Sequence, residues 1–176
     1  MKLILSSPRI KSSIPWFFLI LILVFLFFDL IKSDIFLSHD DHLLFAPITK
    51  IHSLKEYFNG INNGLIADIQ PIRDFSYFID FKLLSLTSWH SLHFTNFFLW
   101  GLIVIGVYHF FTYFIYSTLI CTILTFLYAL SPINLSSVAW IAGRKHLLST
   151  LFIVWASNFA IKAIRKNSTI PLILSI

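Results

Sequence analysis

HFTNFFLWGLIVIGVYHFFTYFIY, His93 to Tyr116, runs without a single Asp, Glu, Lys or Arg. A helix needs about 20 mainly apolar residues to cross the ~30 Å hydrocarbon core of a bilayer. This stretch supplies them, so the first expectation is a transmembrane helix. The whole chain agrees: 57% of its 176 residues are hydrophobic, 12% are charged, and 20 are Phe. A soluble domain is usually about a quarter charged. Too little polar surface remains here to cover a water-soluble globule, so the class is an all-α, multispan membrane protein.

Upstream, IPWFFLILILVFLFFDLI (14–31) is a second run of spanning length, preceded by Lys2, Arg9 and Lys11. It closes on bulky Phe residues rather than on the small residues of a cleavage site, so it reads as an uncleaved first helix. The bases before it put the N-terminus in the cytoplasm. The segment between the two runs, 32–92, holds every acidic residue except Asp29. It therefore reads as a long extracytoplasmic loop, with short amphipathic helices on the membrane surface wherever apolar residues recur at helical spacing.

Downstream, 117–131 is short for a span, and 147–161 is a further apolar run followed by Lys162, Arg165 and Lys166. Between them, SPINLSSVAWIAGRKH reads as a polar turn. The expected order is four spans (14–31, 93–116, 117–131 and 147–161) and part of a fifth beginning at Ile170. Both the N-terminus and the loop after the fourth span are basic, as cytoplasmic loops should be. The last apolar run is about a third of a span, so the chain reads as a single transmembrane module, the front part of a longer protein.

The net charge is +5, but the bases sit beside apolar spans, and no basic, aromatic-interleaved patch points to nucleic acid. Membrane lipid is the expected partner. The single Cys121 excludes a disulfide or a multi-cysteine metal site within the chain.

Five places carry side chains with chemistry. Asp40 and Asp41, in SHDDHLLF, are adjacent carboxylates suited to act as a general base or to hold a divalent cation. They serve equally as a solvated loop start or a helix cap. His39 and His42 flank them, but without a third ligand they do not define a metal site. Arg73, in IQPIRDFSYFIDFKLL, can pair with a phosphate or with a loop carboxylate. The alternative is an interfacial helix whose charges face water. His93 and Asn96 share one helix face at a span entrance. Arg144 and Lys145 form an outward-facing basic cluster that runs against the usual charge rule and suits a lipid-linked phosphate. His109, deeper in its span, is a further polar candidate.

Taken in order, QPIRDFSYFID, LHFTN and SPINLSSVAWIAGRKHLLS resemble the N-terminal region of the multispan GT-C glycosyltransferases. The likeness is to the transmembrane and tetratricopeptide-repeat O-mannosyltransferases and their bacterial relatives. There the last motif reads like HPxxxESVAWIxxRKxLLS. Val138, Ala139, Trp140, Ile141, Arg144, Lys145, Leu147, Leu148 and Ser149 match it. Pro71, Arg73, Asp74, Ser76, Tyr77, Ile79 and Asp80 match an RPxRDLSYxIDY-like segment. Ser131, Ser136 and Trp100 depart from the family pattern. The resemblance implies transfer of a sugar from a polyprenyl-phosphate donor on the outer face of a membrane, which in a bacterium is the inner membrane. Asp40 or Asp41 would be the base or metal contact, and Arg144 and Lys145, with Arg73, would sit near the donor phosphate. The three departures support the rival reading, a non-catalytic membrane protein.

Overall fold

A computed structural model describes residues 28, 53–62, 70–84 and 89–166. Asp40, Asp41, the final apolar run and the expected first span all lie outside them, except for Phe28, which is helical. Among the described residues all regular structure is helical, and two helices are long and apolar enough to cross a membrane.

Two short helices come first, α1 (Leu54–Asn62) and α2 (Pro71–Phe78). Pro71 occupies the first turn of α2, where a missing N–H costs nothing. A π-helical turn, Ile79–Leu83, continues it. The first long helix, α3, spans Trp89–Thr112 and the second, α6, spans Arg144–Lys166. At 1.5 Å per residue each is about 35 Å long.

Between them lie α4 (Thr118–Ala129) and α5 (Pro132–Ala139), bent by 55°. Ser117 caps α4 by accepting the Ile120 N–H at 3.4 Å. Pro132 has no N–H to continue that helix and instead opens α5. Asn134 Nδ2 donates to the Tyr128 carbonyl at 2.6 Å, which satisfies one of the acceptors exposed by the break.

α3 and α6 run parallel. Asn96 meets Arg144 near their starts, the Gly106 carbonyl meets Asn158 midway, and the Tyr113 carbonyl meets Arg165 at the far end. The α4–α5 pair therefore carries the chain back along them from the far end to the near end. Trp100, Ile103, Val104, Val107, Ala129, Val138 and Leu147 make the core. Gly106 allows the close approach of α3 to α6, since a Cβ there would fall 2.6 Å from Val154 Cγ1. Outward, Phe98, Leu119, Ile123, Leu127, Phe152, Ile153 and Ile164 are exposed. That much apolar surface suits hydrocarbon rather than water.

Four sequence expectations change. The 93–116 run is a helix over Trp89–Thr112, and a turn follows it because Ser117 is the better start for the next helix. The 117–131 run is only the first limb of the bent pair. The polar turn after it is mostly helix, α5, followed by a 3-10 turn over Ile141–Gly143. The 147–161 run is longer, Arg144–Lys166, so Arg144 belongs to the first turn of a long helix rather than to a solvated loop.

Candidate functional site

The near end of the α3–α6 pair gathers polar side chains in an otherwise apolar molecule. Arg144 is at its centre and is 0% exposed. Its Nη1 forms an ion pair with Asp80 Oδ2 and lies 3.4 Å from Ser76 Oγ. Its Nε donates to Asn96 Oδ1 at 2.8 Å, and its Nη2 to the Leu92 carbonyl at 3.3 Å. The guanidinium also lies over the Tyr77 ring, 4.2 Å from the centroid. A guanidinium has five N–H donors in a fixed fork, and here every nitrogen is engaged by the protein.

Helix α6 starts at this arginine, where the helix dipole disfavours a cation by up to about 1 kcal/mol. Breaking a buried ion pair by removing one partner costs about 3–5 kcal/mol. Losing Asp80 would therefore disturb Arg144 more than the helix dipole does, because it would leave a buried charge uncompensated.

Two neutral side chains complete this centre. Tyr77 Oη donates to the Ile141 carbonyl at 2.6 Å. Asn96 Nδ2 reaches the Trp140 and Ile141 carbonyls at 3.3 and 3.4 Å. These acceptors belong to the irregular turn between α5 and α6. Non-helical backbone at membrane depth survives only where protein or a water-filled cavity satisfies it, and Tyr77 and Asn96 do so here. Gly143 lets the turn close, because a Cβ there would fall 2.9 Å from the Ser137 carbonyl oxygen.

A second cluster adjoins the first. Arg73, also buried, contacts Asp74 Oδ1 at 2.8 Å through both Nε and Nη2. Asp74 Oδ2 accepts from Tyr57 Oη at 2.8 Å and from the Gln70 N–H at 3.2 Å, which ties α1 to α2. Burial first, then the hydrogen bond to Asp74, pushes the Tyr57 phenol above its ordinary value, so it remains a protonated donor near neutral pH. Ser76 joins the clusters by donating to the Arg73 carbonyl at 2.6 Å while facing Arg144.

The sequence candidates are thus partly brought together. Arg144 and Asn96 touch, Arg73 is one link away through Ser76, and His93 is buried one turn before Asn96. Lys145 stands apart, half-buried, with its Nζ 5.9 Å from the centre of the Trp140 ring. His109 is exposed on the far half of α3 and joins none of this. The charges of α2 do not face water as an interfacial helix would have them. Asp80 and Tyr77 were recognised in the sequence only as part of a motif, not as the partners that fix Arg144.

A divalent cation does not fit the described residues, because no group of three or more His, Cys, Asp or Glu among them is arranged to hold one. Comparison with models of known protein families, with curated proteins and with solved structures finds no match to this chain.

Proposed function

We propose that this chain is a GT-C-like membrane glycosyltransferase module, acting on a sugar carried by a polyprenyl phosphate at the extracytoplasmic face of a bacterial inner membrane. The observation that carries the reading is the meeting of Asp80 with Arg144. The two segments that resemble the family, Pro71–Asp80 and Val138–Ser149, are remote in sequence yet interlock at one end of the bundle.

Orientation follows from charge. At the far end, α6 closes with Lys162, Arg165 and Lys166, a basic cluster of the cytoplasmic kind. At the near end Arg73, Lys82, Arg144 and Lys145 run against the charge rule, which counts Lys and Arg whether or not an acid pairs with them. In this reading Lys2, Arg9 and Lys11 assign the N-terminus to the cytoplasm, which makes the near end the outer one and the bent α4–α5 pair a broken span.

In this reading Asp40 or Asp41 takes the proton of the acceptor hydroxyl as the hydroxyl attacks the anomeric carbon. The lipid phosphate leaves with the bonding electrons and is steadied by a cation. Arg144 holds the fold of the site, so that role falls to Lys145. No step needs a metal held by the described residues.

The test is binding of undecaprenyl phosphate to the whole chain in nanodiscs, read by native mass spectrometry. Loss of one charge-assisted contact, worth about 1.5–3 kcal/mol, predicts roughly tenfold or greater weakening in Lys145→Ala. Ser149→Ala is the control. Binding that ignores Lys145 overturns the phosphate role. The saturated surroundings of Arg144 favour one other reading, a membrane module without transferase activity, in which polyprenyl phosphate does not bind above the level of bulk lipid.

A further inference from the structure

The short helix α2 is amphipathic in the sense opposite to a surface helix of a soluble protein. Arg73, Asp74, Tyr77 and, in the following turn, Asp80 are all buried. Ile72 and Phe75, on the other side, are 59% and 51% exposed, and Leu84 just beyond is exposed too. Phe75 stacks on Phe78, with centroids 6.4 Å apart, which keeps that outer edge aromatic. In water this arrangement would leave the apolar side wet while desolvating two ion pairs.

The depth of α2 is fixed by what its polar side grips. Tyr77 bonds Ile141, while Asp80 pairs with Arg144 and lies 3.4 Å from Thr95 Oγ1. Thr95 is in the apolar window Leu92–Thr112, and Ile141 opens the window Ile141–Arg165. α2 therefore lies beside the first turns of both candidate spans. Phe94 and Phe98, on those same turns of α3, are exposed in the same way. The exposed apolar residues of α2 therefore belong to the same end of the bundle as the exposed Phe94 and Phe98.

We infer that α2 is set into the boundary of the bilayer, with Ile72 and Phe75 among lipid acyl chains and its charged side turned into the protein. The occupant of this face is lipid rather than a second protein, because α2 is held against the starts of both candidate spans and Ile72 and Phe75 offer no polar group to define a specific partner. The inference is independent of sugar transfer and stands whether or not a donor binds.

Cys121 is the only cysteine, so a Cys121→Ser background admits one spin label at a time. The full chain would be reconstituted in phosphatidylcholine–phosphatidylglycerol vesicles, with labels at Ile72→Cys, Phe75→Cys and, as a mid-span reference, Phe152→Cys. Collision rates with oxygen, which concentrates in hydrocarbon, and with a water-soluble nickel chelate report the surroundings. All three positions are exposed, the label at Phe75 displaces only its stacking on Phe78, and circular dichroism checks helix content. The expected result is an oxygen-to-nickel ratio at Ile72 and Phe75 that approaches the Phe152 value from below. A ratio favouring nickel at both positions overturns the proposal, since α2 would then face water. Labels that neither reagent reaches also overturn it, since protein would then cover the face.

Discussion

The α3–α6 pair is held in two different ways along its length. At the near end the helices are joined through charge: Arg144 of α6 is fixed by Asp80 beyond α2, by Asn96 of α3 and by the Leu92 carbonyl. Midway there is no charge at all. Gly106 lets Val154 and Trp155 come close, and Asn158 Nδ2 donates to the Gly106 carbonyl at 2.9 Å. The first region is directional and costly to disturb from one side, and it sets which elements meet. The second is contact between small and large side chains, the usual means by which helices adhere in lipid, where no hydrophobic force distinguishes a neighbouring helix from an acyl chain.

The contrast is open to attack by substitution, with unfolding followed by circular dichroism in mixed micelles. The largest effect is expected at the near end. Asp80→Leu alone strands a buried guanidinium and should cost about 3–5 kcal/mol. Adding Arg144→Met to that variant should recover much of the loss, because the pair acts as a unit. Strictly additive losses would mean that the two residues are not coupled and that the near end is not organised by charge.

A smaller effect is expected midway. Gly106→Val brings a side chain into Val154, and overpacking of this kind costs about 1–3 kcal/mol. Val154→Ala in the same chain should relieve part of it. Gly101, where a Cβ would meet nothing within 4 Å, is the matched control. An equal loss in Gly101→Val would show that helix propensity, not the close approach, is being measured.

Asn158→Leu should cost less again, about 0.6 kcal/mol, the usual worth of a hydrogen bond between helices in a membrane. Its Nδ2 also reaches the Val154 carbonyl of its own helix at 2.8 Å. The least effect on stability is expected for Lys145→Ala, within ~0.5 kcal/mol, since its aromatic contact at Trp140 is long. A large loss there would make Lys145 part of the near-end scaffold rather than a group reserved for a donor phosphate.

Much of the helical content was legible from the chain, and the errors are instructive. The 93–116 and 147–161 runs each mark a real long helix, but both are displaced because hydropathy has no information about caps. Ser117 and Arg144 set those boundaries, one through a side-chain cap and the other through a buried pair. The 117–131 run looked too short to span because Pro132 interrupts it. Its continuation, α5, was hidden in serine-rich sequence that reads as a turn. At the site, Arg144, Asn96 and Arg73 were recognisable as residues with a purpose. Pairing with a loop carboxylate was one of two roles open to Arg73, but the grip of Arg144 and Asn96 on groups of the same chain was not foreseen.

The sequence alone determined the solvent of this protein. Apolar runs as long as those at 93–116 and 147–161 prefer hydrocarbon whatever they pack against, because transfer free energy is a sum over side chains. Only the tertiary structure decided which charges enter the bundle and whom they meet. Asp80 and Arg144 stand 64 residues apart, and nothing local distinguishes them from charges that stay wet. Their pairing depends on the direction of two side chains and on the parallel run of α3 and α6. Both are properties of packing, which no single stretch of the chain contains.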